Sequence, residues 1–251
     1  MFCDVKLPIL PCSLLVFCVL SVNLPAADVI AHYPFDKDLS SIAGAVPEMT
    51  SNGDAHVDAS TFKFGGGSLA MDGEDDSAWV GEPAFQFHQE DFAISFWYRR
   101  NNPDNIFEPL VGHGDSTGDI GYAVRLLPNP KKNEPGWIDG LLNDGPEKGV
   151  QTPQPLEQTG DFQHVVFQRR EGTLELFLNG ELVASKPGFG EEDLGRKSGF
   201  SYAFAVGTRS TKMDGSGSKG SFNGNIDEVW VFNAGLTPGQ VKALKEKNKP
   251  N

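Results

Sequence analysis

Trp137 opens a short apolar run after Pro135-Gly136, a position from which its ring can project at the rim of a sheet. An indole face stacks on the C–H groups of a pyranose, and amide, carboxylate and guanidinium groups around it bond the hydroxyls. Tyr122, Arg125, Asp139 and Asn143 would complete such a site if the strands that carry them are neighbours. Packing of Trp137 beneath the Pro- and Gly-rich segment 145–158 accounts for the same pattern equally well. His113, in Gly112-His113-Gly114-Asp115, is expected on an exposed glycine loop and is the histidine best placed to touch a ligand.

Other chemistries find little support. His32, His56, His88, His113 and His164 show no His-x-x-x-His or Glu-x-x-His spacing, which argues against zinc. His164 reads as a mid-strand structural residue. The serine- and glycine-rich run 215–220 has no strand before it and no helix after it, so it is not a nucleophile elbow. Trp137-Ile138-Asp139-Gly140 offers a single acid, where glycoside hydrolysis needs two about 5–10 Å apart. All three cysteines, Cys3, Cys12 and Cys18, precede residue 28, so residues 28–251 contain no disulfide, thiolate ligand or cysteine nucleophile.

The elements that would position these residues are strands. Residues 161–185 hold two alternating apolar runs joined at Glu171-Gly172, with a further hinge at Asn179-Gly180. Val165 and Phe167 repeat with a period of two, as do Leu174, Leu176 and Leu178, and Asn-Gly supplies the positive backbone angles of a tight hairpin. Phe92, Ile94, Phe96 and Tyr98 alternate in the same way. Further short strands are expected at 28–35, 68–73, 77–80, 107–112, 122–127, 137–142, 202–206 and 222–232. Segments 40–54 and 145–158 read as loops, and Asp38, Asp72, Asp75 and Asp76 as solvated turn residues. Only 237–247, started by Thr237-Pro238 and with Val241 and Leu244 three apart, looks helical. Roughly a dozen short strands predict an all-β fold, a two-sheet antiparallel jelly-roll sandwich with one short C-terminal helix.

Residues 1–27 read as a secretory signal peptide: Lys6, an apolar run over 7–22, and small residues ending at Ala27. An uncleaved leader would instead anchor the chain to a membrane. The domain is then 28–251, secreted, with the formal net charge of −13 unchanged because Asp4 and Lys6 cancel. That balance excludes nucleic acid as the expected partner.

Six segments in order, HYPFD (32–36), GGGSLAMDGEDD (65–76), DFAISFWYR (91–99), FQHVVFQR (162–169), LELFLNGELVAS (174–185) and FNGNIDEVWVFN (222–233), resemble the LamG-like jelly-roll branch of the concanavalin A-like lectin and glucanase superfamily. Phe162-Gln163 stands where that family usually has tryptophan-histidine, and Met71 where it has phenylalanine. The resemblance brings the strands of Asp36 and Asp227 together and implies a structural calcium ion there, with carbonyls of 65–67 as further ligands. The alternative is that Asp227 caps backbone amides and Asp36 begins a turn. Glucanases of this fold carry a Glu-x-Asp-x-x-Glu strand that this sequence lacks. The expected function is a non-catalytic carbohydrate-binding or adhesion module. A polysaccharide-degrading enzyme with a divergent site and a protein-protein interaction domain remain alternatives.

Overall fold

A computed structural model describes residues 27–81, 83–101, 107–114, 121–130, 136–142, 148–156, 160–191, 193–194, 202–208 and 221–250. Residues 1–26 of the expected leader 1–27, and Asn143, lie outside the described residues. In chain order the first strands are β1 (Val29–Tyr33), β2 (Thr50–Asn52), β3 (His56–Asp58), β4 (Ser68–Asp72) and β5 (Ser77–Val80). Then come β6 (Phe92–Arg100), β7 (Glu108–His113), β8 (Tyr122–Leu127), β9 (Trp137–Leu142) and β10 (Gly149–Gln151). Last are β11 (Gln163–Arg170), β12 (Thr173–Leu178), β13 (Glu181–Pro187), β14 (Phe204–Val206), β15 (Asn223–Phe232) and the helix α1 (Pro238–Lys247).

They form two antiparallel sheets. An eight-stranded sheet runs β13-β12-β11-β6-β15-β4-β3, with β1 also paired to β15, and a seven-stranded sheet runs β10-β9-β8-β7-β14-β5-β2. Both hairpin turns read from the sequence are present. Glu171 and Gly172 have φ 52° and 69°, and Asn179 and Gly180 have φ 52° and 87°, the positive pairs that match the twist of the flanking strands. The loops expected at 40–54 and 145–158 each contain a three-residue edge strand, β2 and β10. Strands so short carry no periodicity and exist through pairing with β5 and β9.

The core lies between the sheets. In β6, Phe92, Ile94, Phe96 and Tyr98 point inward against Phe167, Leu174, Leu176, Val229 and Val231, all buried. From the other sheet Val111, Val124, Leu126, Ile138 and Phe204 meet them. Each such side chain contributes about 1.5–3 kcal/mol by leaving water. Gly140 faces the same interior, where an added Cβ would come within 2.3 Å of the Phe167 ring. Arg169 also points inward at one edge, fully buried, and its guanidinium donates to the carbonyls of His88, Glu90 and Phe189.

One face is covered from outside. Leu236, Val241 and Leu244 of the α1 region pack on Ala93, Val166, Phe177, Trp230 and Phe232, the outward residues of the eight-stranded sheet. Thr237 caps α1, its hydroxyl accepting from Gln240 N–H while the Gln240 side chain accepts from Thr237 N–H. Asp76, expected in solvent, is 2 % exposed: its carboxylate accepts from the Asp54 and Asp72 N–H groups at 2.5 and 2.8 Å and staples two turns.

Candidate functional site

The register of β8 and β9 sets Arg125 directly opposite Asp139. Tyr122, Val124 and Leu126 of β8 face the core with Ile138 and Leu142 of β9, so alternation sends Arg125, Asp139 and Trp137 to the outer face. Arg125 grips Asp139 with two hydrogen bonds, Nε to Oδ1 at 3.0 Å and Nη2 to Oδ2 at 2.6 Å. The Arg125 guanidinium also lies over the Phe107 ring, 5.2 Å from its centroid. Burial raises the Asp139 carboxyl above its ordinary range, and the bonds and charge of Arg125 oppose that shift. Trp137 is half-buried at the start of β9, two residues before Asp139 on the same face, and exposed Gln151 of β10 pairs with Asp139 on the other side.

Two candidate ligand-binding residues lie away from this face: Tyr122, expected at this rim, and His113, expected on an exposed loop. Tyr122 is a core residue, 2 % exposed, its hydroxyl donating to Phe85 O at 3.0 Å and its ring 5.1 Å from that of Phe92. The alternation Tyr122-x-Val124-x-Leu126 dictates this. His113 is not on an exposed loop. It is the last residue of β7, 4 % exposed, paired in register with Tyr122 and stacked on its ring at 5.7 Å. The turn begins one residue later, at Gly114 with φ 101°. Neither ring nitrogen of His113 has a hydrogen-bond partner among the described residues, and burial lowers its pKa to about 4.

Asp36 and Asp227 hold one backbone segment from two sides. Asp36 Oδ1 accepts from Gly66 N–H at 2.5 Å, and Asp227 Oδ2 accepts from Lys63 and Phe64 N–H at 2.7 and 3.2 Å. Gly65 is required between them, with φ 65° and no room for a Cβ beside the Asp36 carboxylate. The other Asp227 oxygen, Oδ1, is buried with no hydrogen-bond partner among the described residues. Burial pushes the Asp227 pKa up to about 8, the Lys63 and Phe64 amides opposing it and the Glu228 charge adding to it. An orphaned buried carboxylate oxygen fits a hard cation, which would hold the group ionised. Among the described residues no three His, Cys, Asp or Glu side chains are grouped to hold a metal, so carbonyl oxygens would have to complete the shell.

Two other buried histidines have polar partners. His32 Nε2 bonds Glu228 Oε2, and the His32 ring stacks on Trp230 at 3.5 Å. Glu228 sits in a bulge of β15 at φ 54°, a break that alternation alone does not reveal. Ser95 Oγ and His164 Nε2 are 2.8 Å apart. This second pair has the composition of a nucleophile and base but not the setting. Both residues are 1 % exposed, burial with help from the Lys245 charge lowers the His164 pKa to about 3, and Nδ1 has no partner to orient the ring among the described residues.

The fold has counterparts. A laminin G-type family model of the concanavalin A-like lectin/glucanases superfamily matches residues 72–242, and the chain belongs to that superfamily. Among solved structures, domain 4 of AbnA, a GH43 extracellular arabinanase from Geobacillus stearothermophilus, in complex with arabinotriose, is similar at TM-score 0.65 and 19 % identity, over 88 % of this chain and 99 % of that one. The binding domain of botulinum neurotoxin DC in complex with SialylT is similar at TM-score 0.61 and 14 % identity, over 86 % of this chain and 50 % of that one. The CBM40 of Ruminococcus gnavus IT-sialidase is similar at TM-score 0.54 and 16 % identity, over 71 % of this chain and 96 % of that one. No curated protein matches the sequence. Among the described residues no helix is long and apolar enough to cross a membrane.

Proposed function

We propose that this chain is a secreted, non-catalytic carbohydrate-binding module that takes its sugar on the outer face of the seven-stranded sheet. Trp137 supplies the stacking surface there, and Arg125, Asp139 and Asn143 the polar contacts. The observation that carries this reading is the half-exposed Trp137 ring on the same face as a bidentate arginine–aspartate pair. A pre-ordered guanidinium and carboxylate bond hydroxyls without losing side-chain entropy on binding. The sugar-bound neighbours of like fold support the ligand class. The engagement of Asp139 by Arg125 supports a binding role, because a carboxylate already holding two charge-assisted bonds is a poor general acid. Asp36 and Asp227 would hold a calcium ion that ties 63–66 to the sheet and leaves the sugar site untouched.

A glycan array probed with the purified chain tests this. Binding to at least one glycan class is expected, with at least tenfold weaker binding after Trp137→Ala. Silence on every sugar would favour a protein partner. Release of reducing or unsaturated ends that Asp139→Asn abolishes would make the protein an enzyme.

A further inference from the structure

The outer face of the eight-stranded sheet is not wholly covered by α1. Beyond the helix, a depression of about 470 Å³ opens over β3, β4, β15 and β6, within the size range of ligand clefts. Its cause is a single small residue in a lateral row. His56, Ala70, Asn225 and Arg99 are successive cross-strand partners on these four strands. Leu69 and Met71 point into the core, so Ala70 points out and forms the floor. A methyl group there is flanked by three longer polar side chains. The next positions along the strands, Asp72 and Asn223, are also paired and add to the wall, together with Asn101.

We infer that this depression is a second ligand site, for a neutral or amino-bearing sugar unit bound edge-on through its hydroxyls. The chemistry of the lining selects that class. A sugar hydroxyl both donates and accepts, and the wall offers both functions at close range. Arg99 is held in place by Nε donating to Gly160 O at 2.7 Å and Nη1 to Asn101 Oδ1 at 3.0 Å. Asn225, 3 % exposed, is fixed by its amide donating to Ser68 Oγ at 3.0 Å. Asp58 Oδ1 accepts from the Ser60 N–H and hydroxyl at 2.7 and 2.6 Å, and Asp72 Oδ1 accepts from Glu74 N–H at 2.8 Å. The wall is ordered before any ligand arrives.

Other ligand classes fit poorly. Among the described residues the lining carries one guanidinium and four carboxylates, Asp54, Asp58, Asp72 and Asp76, so a carboxylated or phosphorylated ligand is repelled. A metal ion would sit against the Arg99 charge, and no three acidic or histidine side chains among the described residues are grouped to hold one. Among the described residues the lining holds no Trp, Tyr or Phe, so recognition runs through hydroxyls and not through ring stacking. The site shares its ligand class with the Trp137 face but none of its residues, and either can fail alone.

Titration of the isotope-labelled full chain with methyl α-arabinofuranoside, methyl β-galactopyranoside, methyl β-glucopyranoside, glucosamine and N-acetylneuraminic acid, read by side-chain amide, Arg Nε and indole NMR signals, tests this. The expected result is a saturable shift of the Asn101, Asn223 and Arg99 signals with a neutral or amino sugar at millimolar concentration, without a requirement for a shift at Trp137. Arg99→Ala with Asn101→Ala should weaken it at least tenfold. Ala70→Phe, which fills the floor and keeps every polar wall group, should abolish it while the melting temperature holds. The inference is overturned if no sugar moves these signals, if the shifts survive Ala70→Phe, or if N-acetylneuraminic acid binds here most tightly.

Discussion

The two sheets treat their outer faces in opposite ways. The eight-stranded sheet presents Ala93, Val166, Phe177, Trp230 and Phe232 outward and buries them under Leu236, Val241 and Leu244, a second small core. The seven-stranded sheet presents Arg125 and Asp139, which neutralise each other across one strand gap. An apolar cover stabilises wherever it packs and excludes ligand from what it covers. A charge pair is indifferent to stability when intact and harmful when halved. The first device therefore leaves the end near Ala70 uncovered, and the second leaves Trp137 half-buried.

The sharpest way to break that contrast is to halve each device. Asp139→Ala leaves the Arg125 guanidinium, with 12 % of its side chain exposed, without its counter-ion, and should cost about 3–5 kcal/mol in urea unfolding. Replacing both, as Arg125→Met with Asp139→Leu, should restore most of that loss. Leu244→Ala, on the covered face, should cost about 2–5 kcal/mol, and no second substitution of a polar partner should rescue it. Equal rescue on both faces would remove the distinction.

A second contrast lies between two buried groups that each carry a polar atom without a hydrogen-bond partner among the described residues. His113 sits in the core beneath the seven-stranded sheet with its pKa near 4 against an ordinary 6.5. The unfolded chain then binds the proton more readily, so stability present above pH 6.5 falls as pH drops toward 4, by roughly 3 kcal/mol in total. His113→Phe should flatten urea midpoints over that window. Asp227, on the eight-stranded sheet, has the opposite sign. Its carboxyl is raised to about 8 from 3.8, so the folded state holds the proton longer and stability falls as pH rises from about 4 to 8. A bound cation should reverse this by favouring the ionised form. Calcium at a hundredfold above its Kd should add about 2.7 kcal/mol at pH 8, and chelator should remove it. Asp227→Asn should abolish both the pH slope and the chelator response, and a wild-type melting temperature indifferent to chelator would end the calcium proposal.

What could be read from the sequence was what is local. Glu171-Gly172 and Asn179-Gly180 announce their turns because positive φ is a property of the residues themselves, and Val165, Phe167, Leu174 and Leu176 announce an inward face because the period of a strand is two. Tyr122 was readable by the same rule through Val124 and Leu126. His113 was not, because its facing depends on where β7 ends and on its register against Tyr122. The Ala70 floor and the His32–Glu228 contact are likewise products of register between distant strands, whereas the Arg125–Asp139 pair needs only the register of consecutive β8 and β9. The bulge at Glu228 shifts that register within β15, and no single-strand pattern encodes it. Of the rim site expected around Trp137, the structure brings Arg125 and Asp139 to its face and sends Tyr122 to the core, while Asn143 lies outside the described residues; His113, expected on a loop of its own, is in the core as well.

The smallest effect on stability, and the most informative about recognition, belongs to Trp137→Ala. The ring is half-buried at the end of an outer-face row, opposite Leu127, with no part in the core. Its loss should cost about 1 kcal/mol of stability, at the lower end of what substitutions do. If it stacks on sugar, the same change should weaken glycan binding at least tenfold, about 1.4 kcal/mol, with the Ala70 depression unaffected. If Trp137 serves only to shield the Arg125–Asp139 pair, the balance inverts: stability falls by more than binding, and Trp137→Leu, which keeps the apolar cover without a flat ring face, restores it. Stability and affinity measured on the alanine and leucine variants together therefore separate a stacking platform from a lid over charges.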